Sequence, residues 1–210
     1  MTTRGTGRAR RAAIIGMLSL ATYGLPIVPV QAVDHPDLFR VTSPDLADNG
    51  MLKAANAGTG SSLRGPWPCG GDDQSPSLAW SHAPTGTKSF AIVMDDPDAA
   101  SGRGGAHWLV YDIPAGETRI ARGAANRPGN FVAGNGGRGK AYSGPCAEPG
   151  AKAHHFLFMV YALDLAPGTL PPGLNRGEFA KAIEGHNLAE ASIVARYQRA
   201  ADGKPLASVR

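Results

Sequence analysis

The clearest periodic signal in the chain runs from His154 to Leu163. His154, Phe156, Phe158, Val160 and Ala162 alternate there with His155, Leu157, Met159, Tyr161 and Leu163. Period-two alternation of this length predicts a β-strand with two distinct faces. Phe90 to Met94 is a continuous apolar run of strand length, the pattern of a strand covered on both sides. Leu38 to Val41 and Ser77 to Trp80 read as shorter strands, the second closed by the turn signal Pro84-Thr85-Gly86-Thr87. His107 to Ile113 reads as another, ended by Pro114-Ala115-Gly116. Helical spacing appears only late. Asn175 with Glu178 forms a capping-box start, and Phe179 and Ile183 share a face at i,i+4. After an interruption at Gly185-His186-Asn187, Leu188 to Arg199 reads as a second amphipathic helix. Gly58 to Gly71 and the long glycine-rich stretch from Gly123 to Gly150 read as irregular, and loops of the latter length are generally functional or mobile. Strands first and helices last argue against a βαβ parallel sheet.

Composition supports a mainly β domain: 28 glycines and 17 prolines in 210 residues favour a turn-rich chain over a helical bundle. The N-terminus changes the count that matters. Arg4, Arg8, Arg10 and Arg11 precede an apolar stretch from Ala12 to Val30, and Val30-Gln31-Ala32 has the small-x-small form of a signal-peptidase site. Residues 1–32 therefore read as a signal peptide cleaved after Ala32, and residues 33–210 as a single domain. An uncleaved membrane tether is the rival, weakened by Pro26 and Pro29, which break a spanning helix. The full chain carries 21 basic and 17 acidic residues; without those four arginines it holds 17 of each and a formal charge of zero. No basic cluster remains to read as a nucleic-acid or anionic-membrane surface. Cys69 and Cys146, in an oxidising compartment, are most simply one disulfide; they lack the paired spacing of a zinc site.

The candidate chemistry lies at the ends of the predicted strands. Asp96-Pro97-Asp98 closes one apolar run, His107 opens a strand after Gly102 to Gly105, and His154 opens another after a second glycine-containing loop. If those ends cluster, acid and imidazole meet: an aspartate fixes an imidazole tautomer, and imidazole N–H groups donate to phosphate or carboxylate oxygens. Gly144-Pro145 is a rigid bend whose neighbouring backbone N–H groups would complete an anion cradle. His35, His82 and His155 read as ordinary polar residues. The group has no evident nucleophile, since there is no G-x-S-x-G elbow, no H-E-x-x-H and no P-loop lysine.

At these residues the chain resembles the phosphatidylethanolamine-binding protein family, specifically its bacterial Raf kinase inhibitor-like branch. The resemblance runs through Ser75 to Trp80, Pro84 to Phe90, Asp96 to Ala99, His107 to Pro114, Tyr142 to Cys146, His154 to Leu163 and Gly185 to Ala189. It implies two antiparallel β-sheets with peripheral and C-terminal helices, and a small cavity for phosphate-like or carboxylate anions, phospholipid headgroups among them. Carried over, that cavity uses Asp96, His107, Gly144, Pro145 and His154, with Asp98 on its acidic loop and Phe156 at its wall. Ala100 stands where the family commonly has proline, and Phe156 where many members have tyrosine.

The expectation is a periplasmic or secreted binding protein that is not an enzyme, has no cofactor or metal, and takes a small anionic ligand or phosphate headgroup through His107 and His154. No nucleic-acid partner is expected, and membrane contact is expected only before signal cleavage. The alternatives are a protein-interaction module inhibiting a protease through the Gly123 to Gly150 loop, and a hydrolase or lyase using Asp96 and His107 as acid and base.

Overall fold

The apolar runs fold as the strands of two sheets in the computed structural model, which describes residues 1–2, 37–60, 67–127, 129, 131–136 and 141–206. The expected signal segment thus lies, but for its first two residues, outside the described residues. In chain order the strands are β1 (Arg40–Thr42), β2 (Gly50–Met51), β3 (Leu78–Ser81), β4 (Ser89–Asp96), β5 (Gly105–Pro114), β6 (Arg119–Ile120), β7 (Val132–Ala133), β8 (His154–Leu163) and β9 (Asn187–Tyr197). Three form a small sheet in the order β1-β3-β6, and six form a larger one in the order β2-β9-β8-β4-β5-β7. All ladders are antiparallel except β2 on β9, so the larger sheet is mixed at one edge rather than wholly antiparallel.

β4 is covered on both faces, as its unbroken apolar run predicts. Phe90, Ile92 and Met94 join the main core with Trp80, Trp108, Phe158 and Val160. Ala91 and Val93 point the other way, into a second cluster with Leu109, Tyr111 and Leu163. That cluster is roofed by Phe179 of helix α1 (Arg176–Ala182) and by Ile183, the residue that caps its end. Its start is the expected capping box, with Glu178 N–H donating to Asn175 Oδ1 at 3.0 Å and Asn175 N–H to Glu178 Oε2 at 2.9 Å.

The second predicted helix is a strand. Residues 187–197 pair with β8 along its length, from Asn187 against Leu163 to Tyr197 against His154. Ala189, Ala191, Ile193, Ala195 and Tyr197 turn inward at every second position. Three alanines in that row suit a helix by intrinsic propensity, but an open edge of β8 offers a full ladder and an apolar face, and tertiary pairing overrides propensity. The last long element therefore lies inside the large sheet, not outside it as a helical end.

Candidate functional site

Three adjacent strands bring the acid and the imidazoles together. β8 and β5 start, and β4 ends, at the same end of the large sheet, because β4 runs antiparallel to both neighbours. Asp96, the last residue of β4, is 3% exposed. Its Oδ1 accepts the backbone N–H groups of Asp98 (3.0 Å) and Ala99 (3.1 Å), which pins the carboxylate in the turn that leaves the strand. Its Oδ2 meets His154 Nδ1 at 2.7 Å and lies 4.0 Å from His107 Nε2. One buried carboxylate thus faces two imidazoles.

His107 reaches this position through an irregularity in β5. Met94 pairs with Trp108 and Asp95 with Ala106, so His107 is an extra residue, a bulge, between two ladder partners. In a regular strand neighbouring side chains point to opposite faces. Here Trp108 packs edge-on against Phe158 (6.4 Å between centroids) and His107 packs at 88° against Phe156 (5.3 Å), so two successive side chains face the same side. The bulge re-aims His107 into the site. Its Nδ1 lies 2.6 Å from the carbonyl of Ser143, whose N–H donates to the His107 carbonyl, also at 2.6 Å. Phe156 lies between the imidazoles, stacked on His154 at 6.4 Å and 24°.

These contacts set the tautomers of the neutral rings. A carbonyl and a carboxylate only accept, so Nδ1 carries the proton in both histidines and Nε2 is the acceptor. Protonation converts Nε2 of each ring into an N–H donor. With both rings charged, the group of two imidazoliums and one carboxylate has a net charge of one positive unit.

The other expected site residues sit apart from this centre. Asp98 turns to the opposite face of β8, where Oδ2 accepts from the His155 backbone N–H (2.8 Å) and meets its Nδ1 (2.9 Å). These two bonds to His155 hold the Asp98 carboxyl below its ordinary range. Gly144 and Pro145 stand behind the wall that Ser143 forms. The Gly144 N–H is committed to Asp73 Oδ1 at 2.8 Å, so it is not presented as part of an anion cradle. The Pro145 carbonyl accepts from Gly58 at 3.0 Å. A Cβ on Gly144 would lie 2.3 Å from the Asn56 carbonyl oxygen, so only glycine fits this crossing of two chain segments. Cys69 and Cys146 form the expected disulfide, Cα atoms 5.0 Å apart, which staples the same crossing.

Ala100 has φ +50° and Ser101 φ +59°, so the turn after Asp98 takes a left-handed path. Proline, with φ locked near −65°, cannot follow it. The roles of Ser143, Asp73 and His155 were not readable from spacing. Their partners lie 36, 71 and 57 residues away.

Comparison with known proteins agrees with this fold. The crystal structure of Escherichia coli YbcL superposes with a TM-score of 0.67 at 33% identity, covering 76% of this chain and 98% of that one. A Chlamydia trachomatis homologue, CT736, shares the fold with a TM-score of 0.63 at 23% identity, covering 78% and 99%. Among curated sequences, a UPF0098 protein of Aquifex aeolicus is 38% identical over 134 residues, 62% of this chain and 78% of that protein. A Mycobacterium tuberculosis protein named as a lipoprotein, LppC, is 37% identical over 130 residues, 62% of this chain and 63% of its own length. A family model described as phosphatidylethanolamine-binding protein matches residues 42–198, from the end of β1 to just past β9. With the match running through both sheets and every strand end of the site, the chain belongs to the phosphatidylethanolamine-binding protein family.

Proposed function

We propose that this protein is an exported, non-enzymatic binding protein whose pocket at the ends of β4, β5 and β8 takes a small anion: a phosphate, a carboxylate or a phosphate-bearing headgroup. The observation that carries the reading is the pair of imidazoles, His107 and His154, held with Nδ1 toward fixed acceptors and gathered on one buried carboxylate. Their Nε2 atoms are the donors that an anion needs, and they become donors only on protonation. Binding therefore takes up protons, and affinity rises as the pH falls. Asp96 sets the orientation of His154 and balances the charge that the two rings acquire. Phe156 makes the wall between them apolar and offers no hydroxyl. Export is supported by the Cys69–Cys146 disulfide and by the lipoprotein name of LppC.

The test is a titration with phosphate, phosphoethanolamine and acetate while histidine ring resonances are followed by NMR. His107 and His154 are expected to shift together, more strongly at mildly acidic than at alkaline pH, while His155 stays still. If neither ring responds at about 1 mM anion, an affinity of only about 4 kcal/mol, the pocket reading fails.

A further inference from the structure

Arg199 is a buried charge that the pocket does not explain. It is 2% exposed, and the hydrogen-bond partners shown for its side chain among the described residues are carbonyls rather than carboxylates. Its Nε donates to the Ala147 carbonyl and its Nη1 to the Pro68 carbonyl, both at 2.6 Å, while Nη2 is buried with no hydrogen-bond partner. A guanidinium stays charged at any working pH, and a buried charge without a counter-ion is strongly unfavourable. The two carbonyls it grips belong to the residue before Cys69 and the residue after Cys146, so the cation bridges the two segments that the disulfide joins. The two sulfurs are not equivalent. Cys69 is 1% exposed, with Gly58 packed so closely that a Cβ there would lie 3.4 Å from its Sγ, whereas Cys146 is half-buried.

We propose that Cys69–Cys146 is a thiol-exchange site activated by the charge of Arg199, and that opening it slackens the wall that holds His107. The co-reactant is a dithiol. Its thiolate attacks Sγ of Cys146, the more accessible sulfur; the S–S bond breaks and its electron pair leaves on Cys69 Sγ as a thiolate, which the guanidinium neutralises. The second thiol of the reagent then attacks the mixed disulfide and releases Cys146. The reagent ends as a disulfide, oxidised by two electrons, the protein gains two, and the two thiol protons pass through water to the cysteines. A lower leaving-group pKa speeds this exchange, and a neighbouring cation is the standard means of lowering it. The reduced segment remains tied by Asp73 to Gly144 and by Gly58 to Pro145, but the covalent staple three residues from Ser143 is gone. Thiol exchange stands independently of the anion reading; the slackened wall rests on it.

The experiment measures reduction of the folded protein by dithiothreitol at neutral pH, with alkylation quench and mass analysis. Arg199→Lys is expected to be reduced at close to the wild-type rate and Arg199→Met about tenfold more slowly. If Arg199 is only a packing clamp, its loss loosens the disulfide, and Arg199→Met reduced as fast as wild type or faster overturns the proposal. Should Arg199→Met fail to fold, thiolate absorbance near about 240 nm in reduced wild type decides. Thiolate present at neutral pH supports the proposal, and its absence until about pH 8.5 or above overturns it. Phosphate titration of the reduced protein is expected to need about fivefold more anion for the same histidine shifts. An unchanged response overturns the slackened wall alone, whereas no response even in the oxidised protein overturns the anion pocket and leaves the thiol result standing.

Discussion

Two aspartate–histidine pairs stand side by side in this molecule, with the aspartates two residues apart and the histidines adjacent, and they do opposite things. Asp96 meets His154 at 2.7 Å and Asp98 meets His155 at 2.9 Å, so bond geometry does not distinguish them. Burial does. The Asp96 side chain is 5% exposed and that of Asp98 is 43% exposed, because consecutive residues of β8 send His154 inward and His155 outward. Water screens the outer pair to about 0–1 kcal/mol. The inner carboxylate has no such option: unpaired it is an uncompensated buried charge, so its two backbone donors and its imidazole are obligatory. The D-P-D motif looks like two equivalent acids, yet only one reaches the imidazole pair.

The sharpest way to break this contrast is to remove each acid in turn. Asp96→Ala is expected to lower stability by about 3 kcal/mol, since it strands the Asp98 and Ala99 N–H groups and the His154 ring. It should also abolish the joint response of His107 and His154 to phosphate. Urea unfolding followed by fluorescence checks the first outcome, and a loss no larger than that of Asp98→Ala would erase the distinction. Asp112 supplies a control, a buried acid with no imidazole. It is 4% exposed, sits at φ +59° in a second bulge of β5, and bonds Gly168 N–H through Oδ2 while Oδ1 has no partner. Burial pushes its carboxyl above the ordinary range. An acid raised on folding binds its proton more tightly in the folded state. Its penalty is therefore absent in strong acid and grows as pH rises from the unfolded carboxylate range to the folded value. Asp112→Asn should accordingly stabilise by about 1 kcal/mol at neutral pH and by nothing in strong acid, a trend that denaturation at several pH values reads directly. Asp98→Ala has the smallest expected effect and the opposite sign. With its carboxyl held low by His155, Asp98 contributes above the unfolded carboxylate range, and that contribution is lost as pH falls through the folded value. The change should be at most about 0.5 kcal/mol after screening, with the phosphate response of His107 and His154 intact.

Much of this arrangement was legible in the order of residues, and the parts that were not share a cause. The faces of β8, the double burial of β4, the capping box of α1 and the single possible cysteine pairing all follow from local pattern or elimination. β9 was illegible because its inward row is mostly alanine, which carries little strand preference, and its alternation is meaningful only beside β8. The site itself split along the same line. Strand ends bearing Asp96, His107 and His154 were visible, but the bulge that turns His107 inward depends on how β5 registers against β4. Nor does anything near Gly144 in the chain announce that Asp73 takes its N–H.

The position of β9 also sets when the protein can exist at all. It is inserted between β2, near the start of the domain, and β8, so the large sheet has an interior gap until residues 187–197 are present. A shortened chain that stops before Asn187 leaves one edge of β8 unpaired, with Phe156, Phe158 and Val160 on its inner face: an adhesive edge. The closing ladder joins residues far apart in the chain, and contacts of that kind form slowly. Trimming the C-terminus thus removes a middle strand rather than an end, and the sheet is completed last by the part of the domain made last.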